Sequence, residues 1–185
     1  MATLIRKGGY AWNQQFSNQA VCIEISQEIY IGEDIKIIML SPNKAKLDNL
    51  KKFWARELLK LGYRGDQLNN RYFDDAFEFI SSRERVVGES DIKKDISHSQ
   101  PSIDSLAQEN FIEDTSPTNG SSISFVIEYG DLRFLFLGDS HPTLIENELR
   151  RIYQKDSLWF DAIKISHHGS KSNTSSDLLK LIDSD

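Results

Sequence analysis

The stretch from 121 to 139, "SSISFVIEYGDLRFLFLGD", limits the fold more than any other part of this chain. Ile123, Phe125, Ile127 and Tyr129 alternate with smaller or polar residues, the period of a strand with two unlike faces. Gly130-Asp131 is a tight turn, and "LRFLFLGD" after it is a nearly unbroken apolar strand. A helix follows over "HPTLIENELRRIY", with Pro142 tolerated in its first turn and Leu144, Leu149 and Ile152 facing a core. "WFDAIKIS" reads as another buried strand. "NTSSDLLKLID" opens a further helix, for which Ser175 is a capping candidate. The order strand, strand, helix, strand, helix predicts a layered α/β or α+β sheet over an all-helical bundle.

The first part of the chain has the same character. "AVCIEISQEIYIG" is expected as a strand with Val21, Ile23 and Ile25 on one face, continued by Ile29 and Ile31. Gly32-Glu33-Asp34 turns it into a second strand, "IKIIML". Ser41-Pro42-Asn43 then opens a helix carrying Leu47, Leu50, Trp54, Leu58 and Leu61, with Gly62 as its C-cap. Lys44, Lys46, Lys51 and Lys52 fall between these apolar positions and read as a solvated face, as do Arg56, Lys60 and Arg64. "NNRYFDDAFEFISS" is a candidate second helix. Residues 86–119 are rich in Ser, Asp, Glu, Asn and Pro and too long for an ordinary connection, so a lid or a disordered insertion is expected, with His98 a loop residue inside it. One domain spans 1–185.

A net charge of −6 argues against broad electrostatic binding to nucleic acid. No apolar run approaches the ~18 residues of a membrane span, and the N-terminus lacks a signal-peptide core. Cys22 stands alone and reads as a small buried hydrophobe, so a reducing, cytoplasmic setting is the expectation.

Two strand ends carry the candidate chemistry. Asp139 follows "FLFLG", and His167-His168 follow "FDAIKIS". A rigid sheet presents such positions to solvent, and carboxylate with neutral imidazole is a good donor set for zinc or manganese. Neighbouring residues of an extended chain point in opposite directions. One histidine is therefore expected as a ligand and the other as its hydrogen-bonding support or a substrate contact. Gly169 allows a sharp turn after them. Ser170, Ser172 and Asn173 are expected to hold that turn or to donate to an anionic substrate. Asp139 and His141 form a D-x-H pair if the chain stays extended there; the alternative is a turn that starts the helix.

"FLFLGDS", followed 28 residues on (139 to 167) by "KISHHGSKSNTS", resembles the C-terminal half of metallo-β-lactamase-fold hydrolases, in the branch related to the DNA-uptake protein ComEC. "TNGSSISFVIEYGDLR" and "IYIGEDIKIIMLSP" fit the same pattern. The resemblance implies an αββα sandwich with one or two zinc or manganese ions. A metal-activated water would attack a phosphoester or related ester, in a nucleic acid or a small anionic molecule. It further implies catalytic and metal-binding roles for Asp139, His167 and His168, and a place in the substrate site for Ser170. The family's His-x-His-x-Asp-His motif is absent: the histidines are His98, His141, His167 and His168. The expectation is therefore a fragment of a hydrolase, completed by the missing N-terminal half or a complementing chain and weakly stable by itself. The alternative is a non-catalytic interaction module or inactive remnant of the same fold.

Overall fold

The computed structural model describes residues 7–63 and 110–184, apart from the His168 side chain. The chain divides into two units, 1–10 with 54–110 and 11–53 with 111–185. The "NNRYFDDAFEFISS" helix, His98 and Arg64 lie outside the described residues.

In chain order the regular elements are β1 (Glu28–Ile31), β2 (Ile35–Ser41), α1 (Lys44–Lys60), α2 (Pro117–Gly120), β3 (Ser124–Tyr129), β4 (Leu132–Phe136), α3 (Pro142–Tyr153), β5 (Leu158–Trp159), β6 (Ala162–Lys164), α4 (Ser176–Leu181) and β7 (Ile182–Asp183). This is a mixed α+β fold. Its main sheet has the order β1-β2-β3-β4-β6; β1 to β4 are antiparallel neighbours and β6 runs parallel to β4. β5 and β7 form a separate parallel pair.

The turns anticipated from glycine set the registers. Gly32 and Gly130 both have positive φ, 65° and 57°, a region open to glycine at little cost. The pairs Ile31↔Ile35 and Tyr129↔Leu132 close the two hairpins over these turns. One sheet face then carries Ile38, Val126 and Leu135 in one row, all 2% exposed or less. Against it lie Ile145 and Leu149 of α3 and Leu178 and Leu181 of α4, with Leu137, Leu158 and Phe160 filling the ends. Ile145 rather than Leu144 is the core residue of α3's first turn; Leu144 is only half-buried. The next row on the same face, Lys36, Glu128 and Arg133, is charged and closes the core from solvent. Tyr153 donates its hydroxyl to Glu128 (3.2 Å), and the Arg133 guanidinium lies over the Tyr153 and Phe160 rings. Burial, and then the neighbouring Glu128 charge, push the Tyr153 phenol well above its ordinary value.

Two expected strands are shorter than their patterns. Residues 22–26 turn back on themselves, with the Ile25 and Ser26 amides donating to the Cys22 carbonyl (3.0 and 3.2 Å). The cause lies in the next helix. The Glu24 carboxylate accepts the Lys44 amide at the start of α1 (3.0 and 3.1 Å) and the Cys22 thiol (3.0 Å), which an extended segment would not allow. Cys22 is buried as expected. "WFDAIKIS" breaks at Phe160-Asp161. The Phe160 amide donates to Asp183, while Asp161 exchanges backbone and side-chain hydrogen bonds with Arg133. β6 is consequently an edge strand with Ala162 and Lys164 exposed, not a buried one.

α1 begins with Asn43 capping the Lys46 amide (2.9 Å). It ends at Gly62 (φ 86°), where the Tyr63 amide reaches Leu58 and the Gly62 amide reaches Leu59, closing the last turn. No described helix is long and apolar enough to cross a membrane.

Candidate active site at the ends of β4 and β6

The parallel pairing of β4 with β6 sets the candidate residues side by side. Past the last paired residues, the Leu137 amide donates to Lys164 (3.1 Å) and the His167 amide donates to Gly138 (3.0 Å). Asp139 and His167, 28 residues apart in sequence, are thus carried by strand ends stitched together through the backbone.

Gly138 makes the turn that exposes Asp139. Its φ is 54°, and a Cβ there would fall 2.7 Å from both the Ile123 carbonyl oxygen and the Ser122 Oγ. The same Ser122 Oγ accepts the Asp139 amide (3.0 Å), and Ser140 donates its hydroxyl to the Ser122 carbonyl (2.9 Å). The serines of "NGSSIS" therefore tie the start of β3 to the turn after β4.

The histidine pair is not extended. Ser166–Gly169 form a 3₁₀ turn, with His167 at φ 41°. The extended chain on which the expectation of oppositely pointing side chains rested is replaced here by a turn, tied to the end of β4 through the His167–Gly138 hydrogen bond. The side chain of His168 lies outside the described residues. Ser170 is half-buried between this turn and a second one at Lys171–Asn173, and its amide donates to the His167 carbonyl (3.0 Å).

Residues 111–116 also reach this site, although they belong to the segment read as a polar insertion. The Asp114 amide donates to the Ser172 carbonyl (2.9 Å). The Asp114 carboxylate accepts the Ser116 amide (2.8 Å), the Asn119 amide group (2.6 Å), the Asn173 amide group (3.2 Å) and the Ser116 hydroxyl (3.2 Å). Burial by itself would raise its pKa; these four donors outweigh burial and bring it down to about 2. Asn173, 1% exposed, also donates to the Asp139 carbonyl (3.1 Å), and its Oδ1 lies 3.2 Å from His167 Nδ1. Asp114 did not stand out in the sequence, and Asn119 did so only within the stretch "TNGSSISFVIEYGDLR". The available signal was Ser116-Pro117, a side-chain cap with proline in the first helical turn, which marks 114–120 as ordered.

His141 is engaged elsewhere. It is buried, extended (φ −70°, ψ 127°), and starts α3. Its Nε2 lies 3.1 Å from the Ser116 carbonyl and its Nδ1 2.6 Å from Lys46 Nζ. The carbonyl can only accept and the ammonium only donate, so the ring is neutral with its proton on Nε2. Burial, then the Lys46 charge, lower its pKa. The D-x-H reading gives way to the helix-starting turn. Lys46 is half-buried against this ring rather than part of a solvated face.

Among the described residues no group of three or more His, Cys, Asp or Glu could hold a metal ion. Asp139 and His167 alone do not fit zinc or manganese, which need further donors. Comparisons with protein-family models, curated proteins and solved structures find no match to this chain.

Proposed function

We propose that this chain carries part of the active site of a metal-dependent hydrolase built on an αββα sandwich of the metallo-β-lactamase type. Asp139, His167 and His168 would serve as its donors, Ser170 as a substrate contact, and a phosphoester or related anionic ester as its substrate. The remaining donors would come from a complementing chain or segment. The observation that supports this reading is the backbone link between Gly138 and His167, which carries Asp139 and the histidine pair on neighbouring strand ends. A carboxylate and an imidazole so placed are what a zinc or manganese ion needs from one side of its coordination shell.

Isothermal titration of the full chain with Zn²⁺ and Mn²⁺ tests it. Binding weaker than that of a complete four-ligand site, and lost in Asp139→Ala and His167→Ala, is expected. Binding that survives both substitutions, or no binding at all, would sink the reading. The absence of binding would favour the second reading, a non-catalytic interaction module of the same fold.

A further inference from the structure

The main sheet ends in β1 on one side and β6 on the other, and the two edges differ. β6 is three residues long and carries exposed Lys164, whose ammonium reaches the Ile165 carbonyl (3.4 Å). A lysine so placed keeps other strands from adding to an edge. β1 has no lysine and no proline, and it pairs with β2 without a bulge. Tyr30 and Ile31 are 65% and 52% exposed along it. The Met39 amide donates to the Gln27 carbonyl (2.7 Å), which fixes the phase of the ladder. Hydrogen-bonded pairs alternate in an antiparallel ladder, so Ile29 and Ile31 turn their backbone groups to β2. Glu28 and Tyr30 therefore turn theirs outward. Among the described residues only the Ser26 hydroxyl meets this outward row, at the Glu28 carbonyl (3.2 Å).

We propose that a second copy of this chain adds its own β1 to this edge, antiparallel across a two-fold axis at Ile29. Centred there, Glu28 lies opposite Tyr30 of the second copy, and each such pair exchanges two backbone hydrogen bonds. The outward amide and carbonyl groups of Glu28 and Tyr30 are then all used, on both strands. No like charges are set directly opposite. Glu28 is already matched by Lys36 (2.8 Å) and accepts the Tyr30 hydroxyl (2.9 Å). An edge that complements itself in this way is what an interface between identical copies requires. Ile29 and Ile31 share a sheet face with Ile37, Ile35 and Ile127. The two-fold joins that apolar face to its counterpart, with Ile29 against Ile29 of the second copy. A contact confined to one strand buries little surface, so the dimer is reversible rather than permanent. None of this depends on the hydrolase reading.

Sedimentation equilibrium of the full chain from about 1 to about 100 µM tests this, and a reversible dimer is expected. Tyr30→Pro deletes the outward amide without removing a bond to β2. It should weaken the dimer about tenfold or more, as expected for two lost hydrogen bonds, and leave the circular dichroism spectrum of the monomer unchanged. Ile29→Cys reads the register. The two Cα atoms at position 29 would lie about 4.5 Å apart, within reach of a disulfide. Mild oxidation should therefore link Ile29→Cys into a covalent dimer faster than Ile31→Cys, and faster than the wild type, whose Cys22 is buried. A chain still monomeric at about 100 µM overturns the proposal and leaves the edge to a strand of another protein. A dimer indifferent to Tyr30→Pro overturns it too, as does an Ile29→Cys variant that links no faster than the wild type. If Tyr30→Pro fails to fold, the linking rate decides alone.

Discussion

Replacing Asp114 with asparagine should cost the fold about 1 kcal/mol at neutral pH, and the deficit should shrink in acid. The four donors on its carboxylate hold the folded-state pKa at about 2, against an ordinary 3.8. That gap sets an upper limit of about 2 kcal/mol of stability from the ionised form, which solvent screening at this partly exposed carboxylate reduces to about 1 kcal/mol. The folded pKa is the lower one, so this stability is present in full above the unfolded value. It is lost as pH falls towards the folded value. About half should remain near pH 3 and almost none below pH 2. Asparagine cannot ionise, and its amide nitrogen would face the Asn119 and Asn173 nitrogens, donor against donor. Urea unfolding of wild type and Asp114→Asn, followed by circular dichroism between pH 7 and pH 3, measures the difference. The other carboxylates titrate in both proteins and cancel. A variant within about 0.5 kcal/mol of wild type at pH 7 would refute the reasoning, as would a gap that stays constant down to pH 3.

Leu135 is fully buried in the central row of the sheet, and Leu135→Ala should lower the unfolding free energy by about 3–5 kcal/mol in the same denaturation assay. Gly138→Ala forces a Cβ to 2.7 Å from the Ile123 carbonyl at positive φ; a loss of about 2–4 kcal/mol is expected, with altered NMR shifts for the Asp139 and His167 amides. Ser175 caps the Leu178 amide at the start of α4 (3.0 Å) and donates its hydroxyl to the Glu146 carboxylate, so Ser175→Ala should cost about 1–2 kcal/mol, and Ser175→Asp, which sets a second carboxylate against Glu146, should not restore it, read as a change in denaturation midpoint at constant slope.

Much of this architecture is legible where local chemistry and tertiary structure agree. Gly130-Asp131 marks the hairpin because only a tight turn joins two apolar strands there. Pro142 with Leu149 and Ile152 marks α3 by position and period, while the core residue of its first turn is Ile145 and not the expected Leu144. Asp139 and His167 could be placed at strand ends because each follows an apolar run. What was not legible depends on partners distant in sequence. Val21 to Ile25 alternate like a strand, yet Glu24 is drawn to the start of α1, 20 residues on, and bends the segment. Lys46 resembles every other lysine of its helix until His141, 95 residues away, is packed beneath it. Asp114 lies in a polar run of unremarkable composition, and its role exists only once Asn119 and Asn173 have been brought to it. The adjacency of the histidines misleads for the same reason, since the bond from His167 to Gly138 bends what the sequence alone reads as extended.

The second face of the sheet is apolar as well. Residues opposite one another across antiparallel and parallel pairs share a face, so Ile29, Ile37, Ile127, Phe134 and Ala162 form one row away from the α3 side. Met39, Phe125 and Phe136 continue it at one end, with the two phenylalanine rings stacked at 4.9 Å. Ile31, Ile35, Tyr129 and Leu132 continue it at the other, where Ile31, Tyr129 and Leu132 are 52%, 51% and 42% exposed. A sheet with one solvated face ordinarily alternates apolar with polar. Here both faces are apolar across β2, β3 and β4, the pattern of a sheet built to be covered on both sides. On the hydrolase reading proposed above, a segment that completed the Asp139 site would also have this apolar face to pack against. It would have to bring apolar surface to the sheet and metal ligands to the β4 and β6 ends together. Charged substitutions at Ile127 and Phe134 should then abolish such complementation while leaving the His167–Gly138 link in place.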